Sequence, residues 1–215
     1  MIYVMSDIHG NKRRFDSIMK QINLQPEDTL YVLGDVVDRH PHGGRILRQL
    51  MKMPNVQLIL GNHEYMMLVA LTAPKTRSES SWERNFPSRD LRLWYSNGGR
   101  VTHDYWKHIR KTVRQEVIDF LESLPLNIDV EVNGKKYKLV HGSPLENYES
   151  NRRFYDSIEK FAVWERWSEC DYVPEGYILV FGHTPTINFH YDNPLTIWHG
   201  DEAIGIDCGS GFPAK

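Results

Sequence analysis

Thr29-Leu30-Tyr31-Val32-Leu33-Gly34-Asp35-Val36-Val37-Asp38-Arg39 passes from an apolar run through one glycine into two carboxylates and a guanidinium. The run reads as a buried strand, Gly34 releases the chain from it, and the charged groups fall just past its carboxyl end. Two neighbouring stretches are built the same way. Ile2-Tyr3-Val4-Met5 leads into Asp7-Ile8-His9-Gly10, and the strand from Val56 to Leu60 leads into Gly61-Asn62-His63-Glu64. Between them Phe15, Ile18, Met19 and Ile22, then Ile46, Leu47, Leu50 and Met51, recur at helical spacing, and Tyr65 to Leu71 continues as a third helix. Asp7 and Asp35 stand 28 residues apart, Asp35 and Asn62 27, which fits a strand–helix–strand step of roughly 30 residues. The expectation is a largely parallel sheet with all three positions at the carboxyl ends of successive strands, where open α/β sheets bind ligands.

From Thr72 to Arg110 this rhythm stops. Pro74, Pro87 and many Ser and Arg residues read as loop, interleaved with Trp82, Trp94, Tyr95 and Trp106. A short helix through Leu91, Leu93, Trp94 and Tyr95 is expected to stop at Asn97-Gly98-Gly99. Val113, Val117, Ile118, Phe120 and Leu121 predict a helix closing at Leu124-Pro125. The remainder reads mostly as β. Leu126–Val132 and Lys135–Val140 flank Asn133-Gly134, a hairpin signal. Tyr177–Phe181 leads into Gly182-His183-Thr184-Pro185, and Thr196–His199 and Ala203–Ile206 complete a second sheet. The fold expected is α/β, a two-sheet sandwich flanked by helices in four layers (α/β/β/α). Residues 1–215 form a single domain in this reading, with a small cap or insertion at about 72–110.

Composition bounds the rest. The chain has 215 residues and 40% hydrophobic content, enough for one sizeable core. With 26 basic and 28 acidic residues its net charge is −2, so charge gives no case for nucleic acid or membrane partners. Cys170 and Cys208 are too few and too distant for a disulfide framework, although the pair itself stays open. A functional motif by residue 7 leaves no room for a signal peptide, and no apolar run is long enough to span a bilayer. The expected compartment is cytoplasmic; the sequence sets no oligomeric state.

Hard oxygen donors and imidazoles gathered at several strand ends suit a pair of divalent cations. Asp7, His9 and Asp35 are candidates for one; Asp35, Asn62, His141 and His183 for a second, with Asp35 bridging. A shared carboxylate sets two cations about 3.5–4 Å apart, where a bridging hydroxide becomes a nucleophile at neutral pH. Mixed Asn, Asp and His ligation favours Mn, with Fe or Zn as options. His63, beside Asn62, is the candidate general acid, oriented by Asp38, and Arg39 can grip a phosphate in bidentate fashion. Each piece has a plainer explanation. Asp-x-His can be a turn, Asn62 a helix cap, His141 and His183 satisfied core histidines, and the aromatics of 82–106 a packed cluster. Their joint occurrence, in order and at strand–helix–strand spacing, decides for the metal centre.

These motifs resemble the metallophosphoesterases, in particular the phosphoprotein phosphatase branch with Asp-x-His, Gly-Asp-x-x-Asp-Arg and Gly-Asn-His-(Asp/Glu). The likeness runs through small bacterial and phage serine/threonine protein phosphatases and spans nearly the whole chain, including Trp94 to Gly99, Val163-Trp164-Glu165-Arg166 and Phe181 to Pro185. It implies metal ligation by Asp7, His9, Asp35, Asn62, His141 and His183, His63 as acid with Asp38, and phosphate contacts from Arg39 and Arg166. It also implies direct in-line attack on a phosphoprotein or a small phosphoester, without a phosphoenzyme. Gly182-His183-Thr184-Pro185 lacks the second histidine of the wider superfamily's Gly-His-x-His, which again resembles the phosphatase branch. Two positions depart from it: Leu60 stands where arginine is usual, and His40 where glycine is usual. Leu60 is similar to the symmetrical diadenosine tetraphosphate hydrolases, so that activity is the alternative.

Overall fold

A computed structural model describes residues 1–72, 88–190 and 192–212; Pro74, Trp82 and Pro87, in the centre of the expected cap, lie outside them. The chain order is β1 (Ile2–Met5), α1 (Lys12–Ile22), β2 (Thr29–Val32), α2 (Gly43–Leu50), β3 (Val56–Leu58), α3 (Asn62–Thr72), α4 (Arg89–Ser96), α5 (Arg100–His108) and α6 (Lys111–Glu122). Then follow β4 (Asn127–Val132), β5 (Lys135–Val140), α7 (Tyr148–Asn151), α8 (Ile158–Trp164), β6 (Tyr177–Phe181), β7 (Trp198–His199) and β8 (Ala203–Gly205). Strands β1-β2-β3 form one parallel sheet and β4-β5-β6-β8-β7 a second, mixed one.

Alternation along the strands builds the layers. Leu30 and Val32 face Phe15, Ile46, Leu47, Met66 and Val117 in a core between the first sheet and the helices. Tyr31 and Leu33, on the opposite face, meet Leu139 and Val180 of the second sheet. Leu179, Phe181 and Val140 point to that sheet's far side, against Trp167 and Trp198. The inner parts of both sheets are therefore covered on both faces, which is why β2, the end of β5 and β6 read as apolar runs. Local signals agree with this. Asn11 caps α1 by accepting from the Arg14 N–H at 3.3 Å, and Asn133 and Gly134 both take positive φ (52° and 76°) in the β4–β5 turn, as a tight hairpin requires.

The ladders end before the apolar runs do. Beyond the paired residues, Leu33 N still donates to Met5 O, Ile59 N to Val32 O and Ile206 N to Phe181 O. The loop expected up to Arg110 is corrected: residues 100–108 are helical. Thr102 and Trp106 are the only buried residues of α5, too narrow an apolar stripe to stand out in sequence. Helix α8 also interrupts the stretch read as mostly β; Ser157 caps it, accepting from Lys160 N at 3.2 Å. Cys170 and Cys208 are free thiols. No helix among the described residues is long and apolar enough to cross a membrane.

Candidate metal centre

The loops after β1, β2, β5 and β6 and the start of α3 converge at one end of the two sheets. Asp7, His9, Asp35, Asp38, Asn62, His63, His141 and His183 are all buried there. Backbone bonds stitch the loops together: His9 N donates to Asp35 O at 2.8 Å and Gly10 N to Val36 O at 2.8 Å. His183 N donates to Asp7 Oδ2 and His63 N to Asp35 Oδ1, each at 3.0 Å. Gly61 must lack a side chain, since a Cβ there would lie 2.4 Å from both Asp35 N and Asp35 Oδ1.

Three histidines share one arrangement. Each gives one ring N–H to a backbone carbonyl: His9 Nδ1 to Val37 O (3.2 Å), His141 Nδ1 to Leu33 O (2.6 Å) and His183 Nε2 to Trp164 O (3.2 Å). That bond fixes the neutral tautomer and leaves the other nitrogen as a bare lone pair. His9 Nε2 faces Asp35 Oδ2 at 3.5 Å and Asp7 Oδ1 at 3.8 Å, and His141 Nε2 faces Asp35 Oδ1 at 3.4 Å. The two Asp35 oxygens thus look towards different imidazoles, as a bridging carboxylate would. Burial depresses the pKa of His9 and His183 well below the ordinary value, keeping these lone pairs free.

The donor set fits a cation. With the Asn62 carboxamide oxygen inward, it sits 3.0–3.3 Å from His141 Nε2, His183 Nδ1 and both Asp35 oxygens. Acceptors facing acceptors need a positive charge among them; without one, the carboxamide must turn so that the two N–H groups of its NH2 face this ring of acceptors. The carboxylates repeat the conflict. Burial, with repulsion from Asp207 and Asp35, raises Asp7 well above the usual range; burial and Glu64 do the same for Asp35. Asp35, His141 and His183 present ligand atoms within 4.8 Å of one another, as do His9, Asp35 and His63.

His63 stands apart from the other three because both its nitrogens face side chains. Nδ1 lies 2.7 Å from Asp38 Oδ2, and Nε2 lies 3.2 Å from Arg39 Nη2. A guanidinium can only donate, so Nε2 accepts and Nδ1 carries the proton to Asp38. Asp7 is therefore a better third group beside His9 and Asp35 than His63, whose lone pair is taken. Burial raises the Asp38 carboxyl to about 7, although the neighbouring Thr102 hydroxyl and the hydrogen bond from Trp94 pull it down, and burial depresses His63, as Arg39 also does. Arg39 and Arg166 are exposed at the rim. Arg166 Nη1 donates to His183 O at 2.6 Å, so it joins the centre through backbone alone.

Three groups here had no role in the sequence reading. Glu64, fully buried, accepts from Asp35 N (2.7 Å), Val36 N (2.9 Å) and Val37 N (3.1 Å). Asp207, buried beyond β8, ends a further apolar run in a carboxylate, the signal that exposed Asp7 and Asp35. Trp94 donates Nε1–H to Asp38 Oδ2 at 2.8 Å, and only tertiary structure reveals that.

Residues 1–205 match the family model described as calcineurin-like phosphoesterase. The chain is 31% identical over 172 residues to serine/threonine-protein phosphatase 2 of Salmonella typhimurium, covering 77% of this chain and 67% of that protein. It is 27% identical over 188 residues to the symmetrical bis(5'-nucleosyl)-tetraphosphatase of Acidovorax ebreus, covering 86% and 58%. A crystal structure of a putative diadenosine tetraphosphatase superposes with a TM-score of 0.57 at 18% identity, over 96% of this chain and 82% of that one. The chain thus spans little more than half to two thirds of those curated relatives.

Proposed function

This chain belongs to the calcineurin-like phosphoesterase family, and from that premise we propose that it is a dinuclear metal-dependent phosphoesterase acting on phosphoserine and phosphothreonine. Residues 1–215 work as one catalytic domain in this reading. Asp7, His9 and Asp35 hold one divalent cation, and Asp35, Asn62, His141 and His183 the other. Manganese suits this oxygen-and-imidazole set, as do iron and zinc. Bound there, the cations supply Lewis acidity, activating water and offsetting phosphate charge.

The protein's own groups do the rest. Arg39 and Arg166 present guanidinium groups at the rim to the non-bridging phosphate oxygens. When phosphate draws Arg39 away, His63 Nε2 is released from the guanidinium, can take up a proton from solvent, and can pass it to the leaving oxygen. Asp38 stays on Nδ1 and steadies the imidazolium. The carrying observation is the partition of four buried histidines: three pinned by backbone carbonyls with a lone pair inward, the fourth held between a carboxylate and an arginine.

A second reading, hydrolysis of dinucleoside polyphosphates, draws support from the tetraphosphatase relatives and from Leu60. The test is turnover of a phosphoserine peptide against diadenosine tetraphosphate by manganese-loaded protein, with a chelated control. We expect faster peptide turnover, abolished by the chelator. Preference for the tetraphosphate would hand the case to the second reading, and full activity after chelation would reject the metal mechanism.

A further inference from the structure

Asp38 is fully buried, and its carboxylate uses one oxygen twice. Oδ2 accepts from His63 Nδ1 at 2.7 Å and from Trp94 Nε1 at 2.8 Å, while Oδ1 has no partner. Trp94 is fully buried on α4. From α5, Thr102 Oγ1 accepts from Asp38 N at 2.9 Å. In the turn between these helices, Gly98 O accepts from Arg39 N at 3.2 Å. The Asp38–Arg39 loop is thus gripped at three points by α4, α5 and the turn between them.

Asn97-Gly98-Gly99 makes the grip possible. A Cβ on Gly99 would lie 2.3 Å from Trp94 Cδ1 and 2.4 Å from Nε1, so only glycine lets the turn pass over the indole edge that donates to Asp38. An indole N–H can only donate. It therefore holds Oδ2 in place as an acceptor, and with it the direction in which Asp38 points His63.

We infer that Trp94 is a positioning residue for the reaction, orienting the Asp38–His63 pair through its indole N–H, with Gly99 and Thr102 as its supports. The inference rests on the proposed phosphoesterase activity. A group that acts through the proton donor matters most when the leaving oxygen is a poor one. A p-nitrophenolate leaves with little protonation; a serine alkoxide does not.

Trp94→Phe keeps the ring and removes the N–H. It should lower kcat about tenfold on a phosphoserine peptide, a fraction of the roughly 10²–10⁴-fold that a positioned acid supplies. On p-nitrophenyl phosphate the loss should stay below about threefold, because that step leans little on an acid. In an Asp38→Asn background the same change should add nothing further, since its route is already cut. Equal losses on both substrates, or additive losses in the double variant, would overturn the inference. A readout independent of activity is the Trp94 indole N–H resonance, which should move upfield in Asp38→Asn; an unmoved resonance would also overturn it. That measurement needs no Trp94 variant and so stands even if Trp94→Phe fails to fold. Absence of wild-type turnover with both substrates, after manganese loading, would remove the proposed function and the inference together, whereas an active wild type with the wrong substrate pattern removes only the inference.

Discussion

Glu64→Gln is the most informative single change, because it swaps one atom in a buried group with countable partners. The two Glu64 oxygens receive three backbone N–H groups, from Asp35 on Oε2 and from Val36 and Val37 on Oε1. Glutamine can keep its oxygen on the Val36–Val37 pair, but its NH2 then faces the Asp35 N–H, donor against donor. One buried N–H left unsatisfied costs about 2 kcal/mol, and for a chain of this size that lowers Tm by about 4–8 °C. Glu64→Ala strands all three donors and should cost more, about 3 kcal/mol or above. The loop so held carries Asp35, so manganese affinity should fall by about 10–100-fold, as it does when outer partners of ligands are lost. Thermal unfolding of the metal-free protein and calorimetric manganese titration read the two effects separately. If Glu64→Gln melts within about 2 °C of wild type, well inside the expected shift, and binds manganese equally well, the loop is not held by Glu64 and the reasoning fails.

His63→Asn should reduce kcat by about 10²-fold or more while manganese content stays constant, because it removes a proton donor; loss of metal in that variant would make His63 a ligand instead. Asp38→Asn should show a milder form of the same defect, and full activity in both variants would reject the acid pair. Metal-free protein should lose stability as pH rises above about 6.5, the ordinary histidine value. There His9, His63 and His183, depressed by burial, are neutral in the folded chain. Burial raises the Asp38 carboxyl to about 7 and Asp7 and Asp35 above their usual range, so the folded chain still has protons to lose that the unfolded chain has released. Where the native state binds more protons, stability falls with pH. A Tm that is flat or rising from pH 6.5 to 8.5, or a manganese-induced rise no larger at the alkaline end, would contradict this.

How much of this was legible beforehand differs by element. The βαβ repeat was, because each strand of the first sheet is mostly apolar, β2 being buried on both faces, and each is closed by a polar group just past its end. The gathering of Asp7, Asp35 and Asn62 followed from strand order, whereas His183, beyond a strand of the second sheet, entered through its motif. Helix α5 was not legible, since it buries only Thr102 and Trp106 and carries charge elsewhere. Glu64 was visible, adjacent to His63, but its three backbone partners lie 27 to 29 residues away, and no periodicity reports such a bond. Trp94 read as part of a packed aromatic cluster, and it does pack with Tyr95 and His103. What sequence could not reveal is that its one polar atom points elsewhere, at Asp38. His40 looked troubling in a glycine position. Yet the left-handed residues of that turn are Asp38 and Arg39, so the backbone asks nothing of His40 that an ordinary residue cannot give.

Backbone strain ties the fold to the chemistry. Of nine non-glycine residues with positive φ among those described, six are Asp7, His9, Asp35, Asp38, Arg39 and His183. Such conformations cost on the order of 1–3 kcal/mol each and persist only where the surroundings over-determine them. Five of the six are Asp or His, the types that visit this region most readily, so the residues suited to ligation are also those suited to the strained turn at a strand end. Arg39 is the exception. No intrinsic preference puts an arginine at φ 63°, and the bond from its N–H to Gly98 O is what holds it there. The helix pair that flanks Gly98 also supplies Trp94 and Thr102, and so holds both Arg39 and Asp38, the proposed phosphate contact and the proposed partner of the acid. A chain with both sheets and their loops intact, but without α4 and α5, would keep the candidate cation-binding acceptors while losing the orientation of Asp38, His63 and Arg39. In the proposed reading, metal binding and turnover therefore draw on different parts of the fold.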